Sequence, residues 1–137
     1  KEYWAITEKS PKATKGTLTN FVAKNEKQNK SYIVDESKNG AKLATLHYSV
    51  LTKSDRYTLL GINLETGRHH QIRVQLSNMG SIIKGDLKYG AKRSNTDGSI
   101  NLHSRSASFI HPVQKTEITI TAPCPMDSLW QFFEVAV

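Results

Sequence analysis

The sequence predicts an α+β fold, a mixed, largely antiparallel sheet with flanking helices, on three observations. Ala44, Leu46, Tyr48 and Val50 alternate with polar neighbours, as do Leu60, Ile62 and Leu64, which is the period-two signature of half-buried strands. After them Ile72, Leu76 and Met79 recur at i, i+4 and i+7, the stripe of a helix lying on a core. The C-terminal third returns to strand composition and ends in an aromatic cluster, Trp130, Phe132 and Phe133.

Taken in order, Lys1–Thr7 reads as a buried strand through Tyr3, Trp4, Ala5 and Ile6, stopped by the polar Glu8-Lys9-Ser10-Pro11. Lys24–Lys42, rich in Lys, Asn, Glu, Gln and Ser, reads as a solvated hairpin or mobile loop. The two alternating runs form adjacent strands. Thr66-Gly67 then opens the helix and Asn78-Met79-Gly80 closes it. Ser99–Phe109 and Glu117–Ala122 read as strands, and Met126–Phe133, opening after Pro125, as a short terminal helix or strand. No internal repeat and no Pro/Gly-rich linker divides the chain, so residues 1–137 read as one unit.

The chain has 137 residues, enough to bury a moderate core, and a formal net charge of +7 with a pI near 9.6. Such an excess of cations favours a polyanionic partner, because lysines and arginines that neutralise phosphates release condensed counterions; it also serves solubility alone in many proteins. The single cysteine, Cys124, excludes an internal disulfide and fits a reducing cytoplasm. No apolar run is long enough to span a bilayer and no signal-peptide pattern opens the sequence.

Chemistry-bearing residues concentrate in Leu64-Glu65-Thr66-Gly67-Arg68-His69-His70-Gln71-Ile72-Arg73-Val74-Gln75-Leu76. A helix beginning at Gly67 sets His69 and Arg73 on one face, one turn apart, with Arg73 beside the buried stripe. A guanidinium there suits a carboxylate, since it stays charged and offers two parallel donors in one plane. The His69-His70 pair, with His103 and His111 downstream, raises a metal site. Adjacent helical residues point about 100° apart and there is one cysteine to help, so no metal is expected. His103 and His111 are expected to cap strand ends, and Gly85-Asp86 to make a turn that orients Tyr89. No Ser-His-Asp nucleophile elbow and no glycine-rich phosphate loop is present.

Four separated motifs, in order, resemble those of the RluA-type RNA pseudouridine synthases. Lys1-Glu2-Tyr3-Trp4-Ala5 is similar to K-x-Y-x-A, Thr66-Gly67-Arg68-His69-His70-Gln71-Ile72-Arg73-Val74 to T-G-R-x-H-Q-[IL]-R-V, Gly85-Asp86-Leu87-Lys88-Tyr89-Gly90 to G-D-x-x-Y-G, and Leu102-His103-Ser104 with Phe109-Ile110-His111-Pro112 to L-H-[AS] and F-x-H-P. The resemblance implies part of the pseudouridine synthase fold and isomerisation of uridine to pseudouridine in ribosomal or transfer RNA, with no cofactor. It gives the catalytic roles to Arg73, which in the family pairs with the catalytic aspartate, and to Tyr3, which lies against the target uracil. Arg68, His70, Gln71, Lys84 and Lys88 fall to substrate and RNA binding. The family's His-Arg-Leu-Asp motif, which carries that aspartate, is not among these residues. The expectation is therefore the C-terminal portion of a catalytic domain, inactive alone and prone to self-associate through apolar surface. The alternatives are a non-catalytic RNA-binding module of the same fold and a structural domain whose charge serves solubility.

Overall fold

The computed structural model describes all residues, Lys1–Val137. Seven strands make one sheet: β1 (Glu2–Thr7), β2 (Lys15–Asn25), β3 (Lys30–Val34), β4 (Lys42–Lys53), β5 (Thr58–Leu64), β6 (Leu102–Ile110) and β7 (Glu117–Thr121), in the order β3-β2-β4-β5-β1-β6-β7. Helix α1 (Gln71–Met79) follows β5, a 3₁₀ turn covers Leu87–Tyr89, and α2 (Ser128–Ala136) closes the chain. The fold is α+β as expected, and the sheet expected to be largely antiparallel is antiparallel in all six pairings. No helix is long and apolar enough to cross a membrane.

Strand alternation divides the core between the two faces of the sheet. In β1, Tyr3 and Ala5 join Leu46, Tyr48, Leu60 and Ile62 under Ile72 and Leu76 of α1. Trp4 and Ile6 point the other way and pack with Leu59, Cys124, Trp130 and Phe133 against α2. Leu46, Leu60, Ile62 and Leu76 are fully buried, each contributing about 1.5–3 kcal/mol by leaving water. The terminal segment resolves as a helix because Asp127 caps it, its Oδ1 accepting from the N–H groups of Leu129 and Trp130 at 2.9 and 3.0 Å.

The structure sharpens one element of the sequence reading, adds another and moves two boundaries. The expected solvated segment Lys24–Lys42 holds the end of β2, all of β3 and the start of β4. It is a hairpin whose Ser31 is buried because it docks on the 3₁₀ turn and the residues before α1. Strand β2 has no counterpart in the reading, since its inward residues are spaced by Thr and Asn and only Leu18 and Val22 reach a core. Helix α1 begins at Gln71, not after Gly67. The side-chain amide of Gln71 spans the gap: Oε1 accepts from Thr66 Oγ1 (2.8 Å) and the Arg68 N–H (3.0 Å), and Nε2 donates to the Thr45 carbonyl (3.1 Å). Gly80 ends the helix at φ 96, its N–H bonding back to Leu76 and Ser77. β6 begins at Leu102 rather than Ser99, after the turn in which Asn95 Nδ2 binds the Ser99 carbonyl.

Candidate active site

The β5–α1 junction closes one end of a cavity of about 270 Å³, and five of the seven residues singled out from the sequence line it: Tyr3, Arg68, His70, Gln71 and Arg73 with the apolar Leu64, Ile72 and Leu102 as walls. Tyr3 arrives from β1, between Ile62 of β5 and Ser104 of β6, so its ring stands on the α1 face at the open end of a central strand. Lys84 and Lys88 are elsewhere. Lys84 lines a separate cavity, and Lys88 Nζ donates to the carbonyls of Gln28 (3.2 Å) and Asn29 (2.9 Å), tying down the β2–β3 hairpin.

Arg73 is already clasped by a carboxylate of this chain. Its Nε donates to Asp86 Oδ2 at 2.9 Å and its Nη2 to Asp86 Oδ1 at 2.8 Å, a fork-to-fork pair in which Asp86 is 1% exposed. The sequence reading took Gly85-Asp86 for a turn that orients Tyr89. The turn is there, since Gly85 has φ 86 and any Cβ would collide with Asn95 and with the Ser99 carbonyl oxygen at 2.7–2.9 Å. Its consequence is that Asp86 is held inward against α1. A guanidinium has five N–H groups. Asp86 takes two and His70 one, which leaves two, one on each terminal nitrogen.

His69 and His70 lie in the turn before the helix, not on a helical face, so His69 and Arg73 do not share one. His70 sits at the N-cap with φ 52 and ψ 27, a left-handed conformation that a non-glycine residue holds at some cost, and its ring stacks on His69 at 3.7 Å. Arg73 Nη1 can only donate, so His70 Nε2 accepts it at 3.2 Å; the ring proton is then on Nδ1 and is given to Tyr89 Oη at 2.7 Å. Tyr89 Oη also accepts the Ser31 N–H at 2.9 Å. Asp86, Arg73, His70, Tyr89 and Ser31 thus form one continuous polar chain from the helix to the hairpin. Tyr89 and Ser31 were missed as site residues because nothing local in the sequence reports a contact made across 58 positions.

Burial, and next the positive charge of Arg73, push the His70 imidazole down to about 4. A histidine whose folded pKa lies below its unfolded value of roughly 6.5 gives stability that is complete above that value and lost as pH falls toward the folded one. The slope is at most about 1.4 kcal/mol per pH unit, reduced by the ring's partial exposure. Burial also lowers His69, with the charge of Lys24 next. The urea midpoint is therefore expected to fall between pH 7 and 4.5 more steeply in the native protein than in His70→Asn, a substitution that tolerates the left-handed backbone. Equal slopes would show that His70 is not held neutral.

Of the other histidines, His111 Nδ1 accepts the N–H groups of Val113 and Gln114 and caps the β6–β7 turn. His103 Nε2 donates to the Ala122 carbonyl just beyond β7. No group of three or more His, Cys, Asp or Glu side chains is arranged to hold a metal ion. The cavity can therefore offer two guanidinium groups, a neutral imidazole and a phenol around a small, partly apolar space. No carboxylate lines it.

The sequence profile of the family described as RNA pseudouridylate synthase matches residues 1–78. A protein of Synechocystis described as an uncharacterized RNA pseudouridine synthase is 35% identical over 126 residues, covering 90% of this chain and 38% of that protein. One of Mycobacterium tuberculosis with the same description is 34% identical over 132 residues, covering 93% and 42%. The chain thus spans about two fifths of the length of these curated relatives. Among solved structures, human RNA pseudouridylate synthase domain containing 4 superposes with a TM-score of 0.76 at 22% identity, over 98% of this chain and 61% of that one, a likeness of fold.

Proposed function

The chain belongs to the RluA-type RNA pseudouridine synthase family, and on that premise we propose that it is the C-terminal portion, residues 1–137, of a catalytic domain that isomerises uridine to pseudouridine in ribosomal or transfer RNA, in the cytoplasm and without a cofactor. The observation that carries the proposal is the gathering of Tyr3, Arg68, His70, Gln71 and Arg73 around one cavity, with two N–H groups of Arg73 still unspent.

In that reaction the uracil leaves the stack, its N1–C1′ bond breaks with a carboxylate assisting at C1′, the base turns, and a C5–C1′ bond forms as the C5 proton is lost and N1 gains one. Tyr3 contacts the base, and a phenol both stacks and hydrogen-bonds. Arg73, fixed from behind by Asp86, turns its remaining donors to the carboxylate, while Arg68 meets a phosphate. The carboxylate is the part these residues do not offer, because none lines the cavity and Asp86 is committed to Arg73. We assign it to a segment outside residues 1–137. That segment would cover the apolar surface left by Ile110, Val113 and Ile120 on the β6–β7 hairpin, 58%, 81% and 58% exposed; in its absence a second copy of the chain is expected to do so.

The test is tritium release from RNA labelled at uracil C5, with sedimentation of the same samples. This chain alone is expected to release none and to self-associate, whereas the longer protein releases tritium. Release by residues 1–137 alone would overturn the assignment of the carboxylate, and no release by the longer protein would overturn the reaction. A non-catalytic RNA-binding module is the second reading, and the absence of a carboxylate from the cavity is the observation that favours it.

A further inference from the structure

A cavity of about 540 Å³ lies apart from the one that gathers Tyr3 and Arg73. It lies between the start of β5 and the loop after the 3₁₀ turn, and is lined by Arg56, Lys84, Lys92 and Arg93 with Glu8, Tyr57 and Ile82. We propose that this cavity binds the phosphodiester backbone of RNA at a nucleotide other than the one whose base is isomerised. The proposal rests on the RNA reading above and deepens it.

Charge is the first argument. The ion pairs of the chain are Lys24–Glu26, His47–Glu65, Arg73–Asp86 and Arg105–Glu134, so none of these four cations has a carboxylate partner, and Glu8 is the one acid on the cavity wall. Asp97 Oδ1, in the same loop, accepts from the N–H and hydroxyl of Ser99 at 3.0 and 2.7 Å. Cations drawn into one concavity with so little neutralisation repel one another and focus a field that only an anion relieves.

The cluster is also held in place. Lys84 is half-buried and donates to Asn95 Oδ1 at 2.6 Å, and both Lys84 Nζ and the Arg56 guanidinium stand over the Tyr57 ring, at 5.7 and 6.0 Å from its centroid. The negative face of one aromatic ring thus keeps two cations together. Tyr57 and Ile82 are the only apolar groups on the wall, too few to house a base, so the site suits a phosphate.

Position supplies the last argument. Strand β1 carries Tyr3 at the first cavity, and Glu8, just past its other end, lines the second. Five residues of extended chain separate the two by about 17 Å. A phosphate bound at the second site therefore belongs to a different nucleotide of the same strand, and holding it fixes the register in which one uridine meets Tyr3.

The experiment is RNA binding by this chain over a range of salt, using a short single-stranded RNA and three proteins: native, Arg56→Gln/Arg93→Gln, and Lys38→Gln/Lys115→Gln, which removes the same charge from two exposed turns. Each lost single-strand phosphate contact lowers the log–log salt slope by about 0.7, so the first variant is expected to lose about 1.4 in slope and the second none. Equal losses in both, or none in either, would overturn the site while leaving RNA binding intact. Salt-independent binding by the native chain, or none at all, would overturn the RNA reading and this proposal with it.

Discussion

Asp86→Ala is expected to lower folding stability by about 3 kcal/mol, the low end of the cost of removing one partner from a buried ion pair. The low end applies because the surviving charge, Arg73, has a side chain 20% exposed and finds some water. Arg73→Ala is expected to cost more, since it leaves the Asp86 carboxylate, 1% exposed, with no cation beside it. The double variant Arg73→Ala/Asp86→Ala then loses less than the sum of the two, because neither charge remains to be buried alone. Urea unfolding of the four proteins at a common slope reads this coupling. Additive losses would mean that the two side chains do not act as one unit and that Asp86 does not fix Arg73.

The pair also shows how far the sequence could be read. Strands β4 and β5 and the stripe of α1 were legible because Leu46, Leu60, Ile62, Ile72 and Leu76 put all their apolar surface on one face, and periodicity reports one face at a time. β3 was legible only as an arm of a possible solvated hairpin, because Lys30–Val34 lies in a polar segment and becomes half-buried only when Ser31 meets Tyr89 and His69. The start of α1 was misplaced for a similar reason. No Ser, Thr, Asp or Asn caps it, the His70 side chain at the N-cap makes no capping bond, and the Gln71 amide instead ties the helix start to Thr66 in the preceding loop and to Thr45 of β4. At the candidate site, motifs alone singled out Tyr3, Arg68, His70, Gln71 and Arg73, which line one cavity. They did not give Asp86 as the partner of Arg73, since a hydrogen bond between a helix and the turn that follows it leaves no period in the chain. Charge singled out Lys84 and Lys88 but does not say that Lys84 lines a second cavity or that Lys88 Nζ is spent on the hairpin carbonyls.

Arg73→Lys, made in the longer protein, is expected to reduce kcat for tritium release at least about 100-fold, the cost of a misplacement on the order of 1 Å at a reacting centre, with KM changed little. A lysine keeps the positive charge but gives up the plane that lets one side chain serve three partners. In the native protein Nε and Nη2 grip Asp86, Nη1 meets His70, and one N–H on each terminal nitrogen is left unspent. A single ammonium satisfies Asp86 at one point and cannot also present a fixed pair of donors to the cavity. Loss of kcat through mere unfolding is separated from loss through geometry by Asp86→Asn, which keeps the guanidinium but weakens the grip behind it. That variant is expected to keep its fold, retain KM and lose part of kcat, because Arg73 still meets the carboxylate but no longer at one angle. A lysine variant with near-native kcat would remove Arg73 from the chemistry, and an asparagine variant that unfolds without any change in kcat of its folded fraction would leave Asp86 a structural residue only.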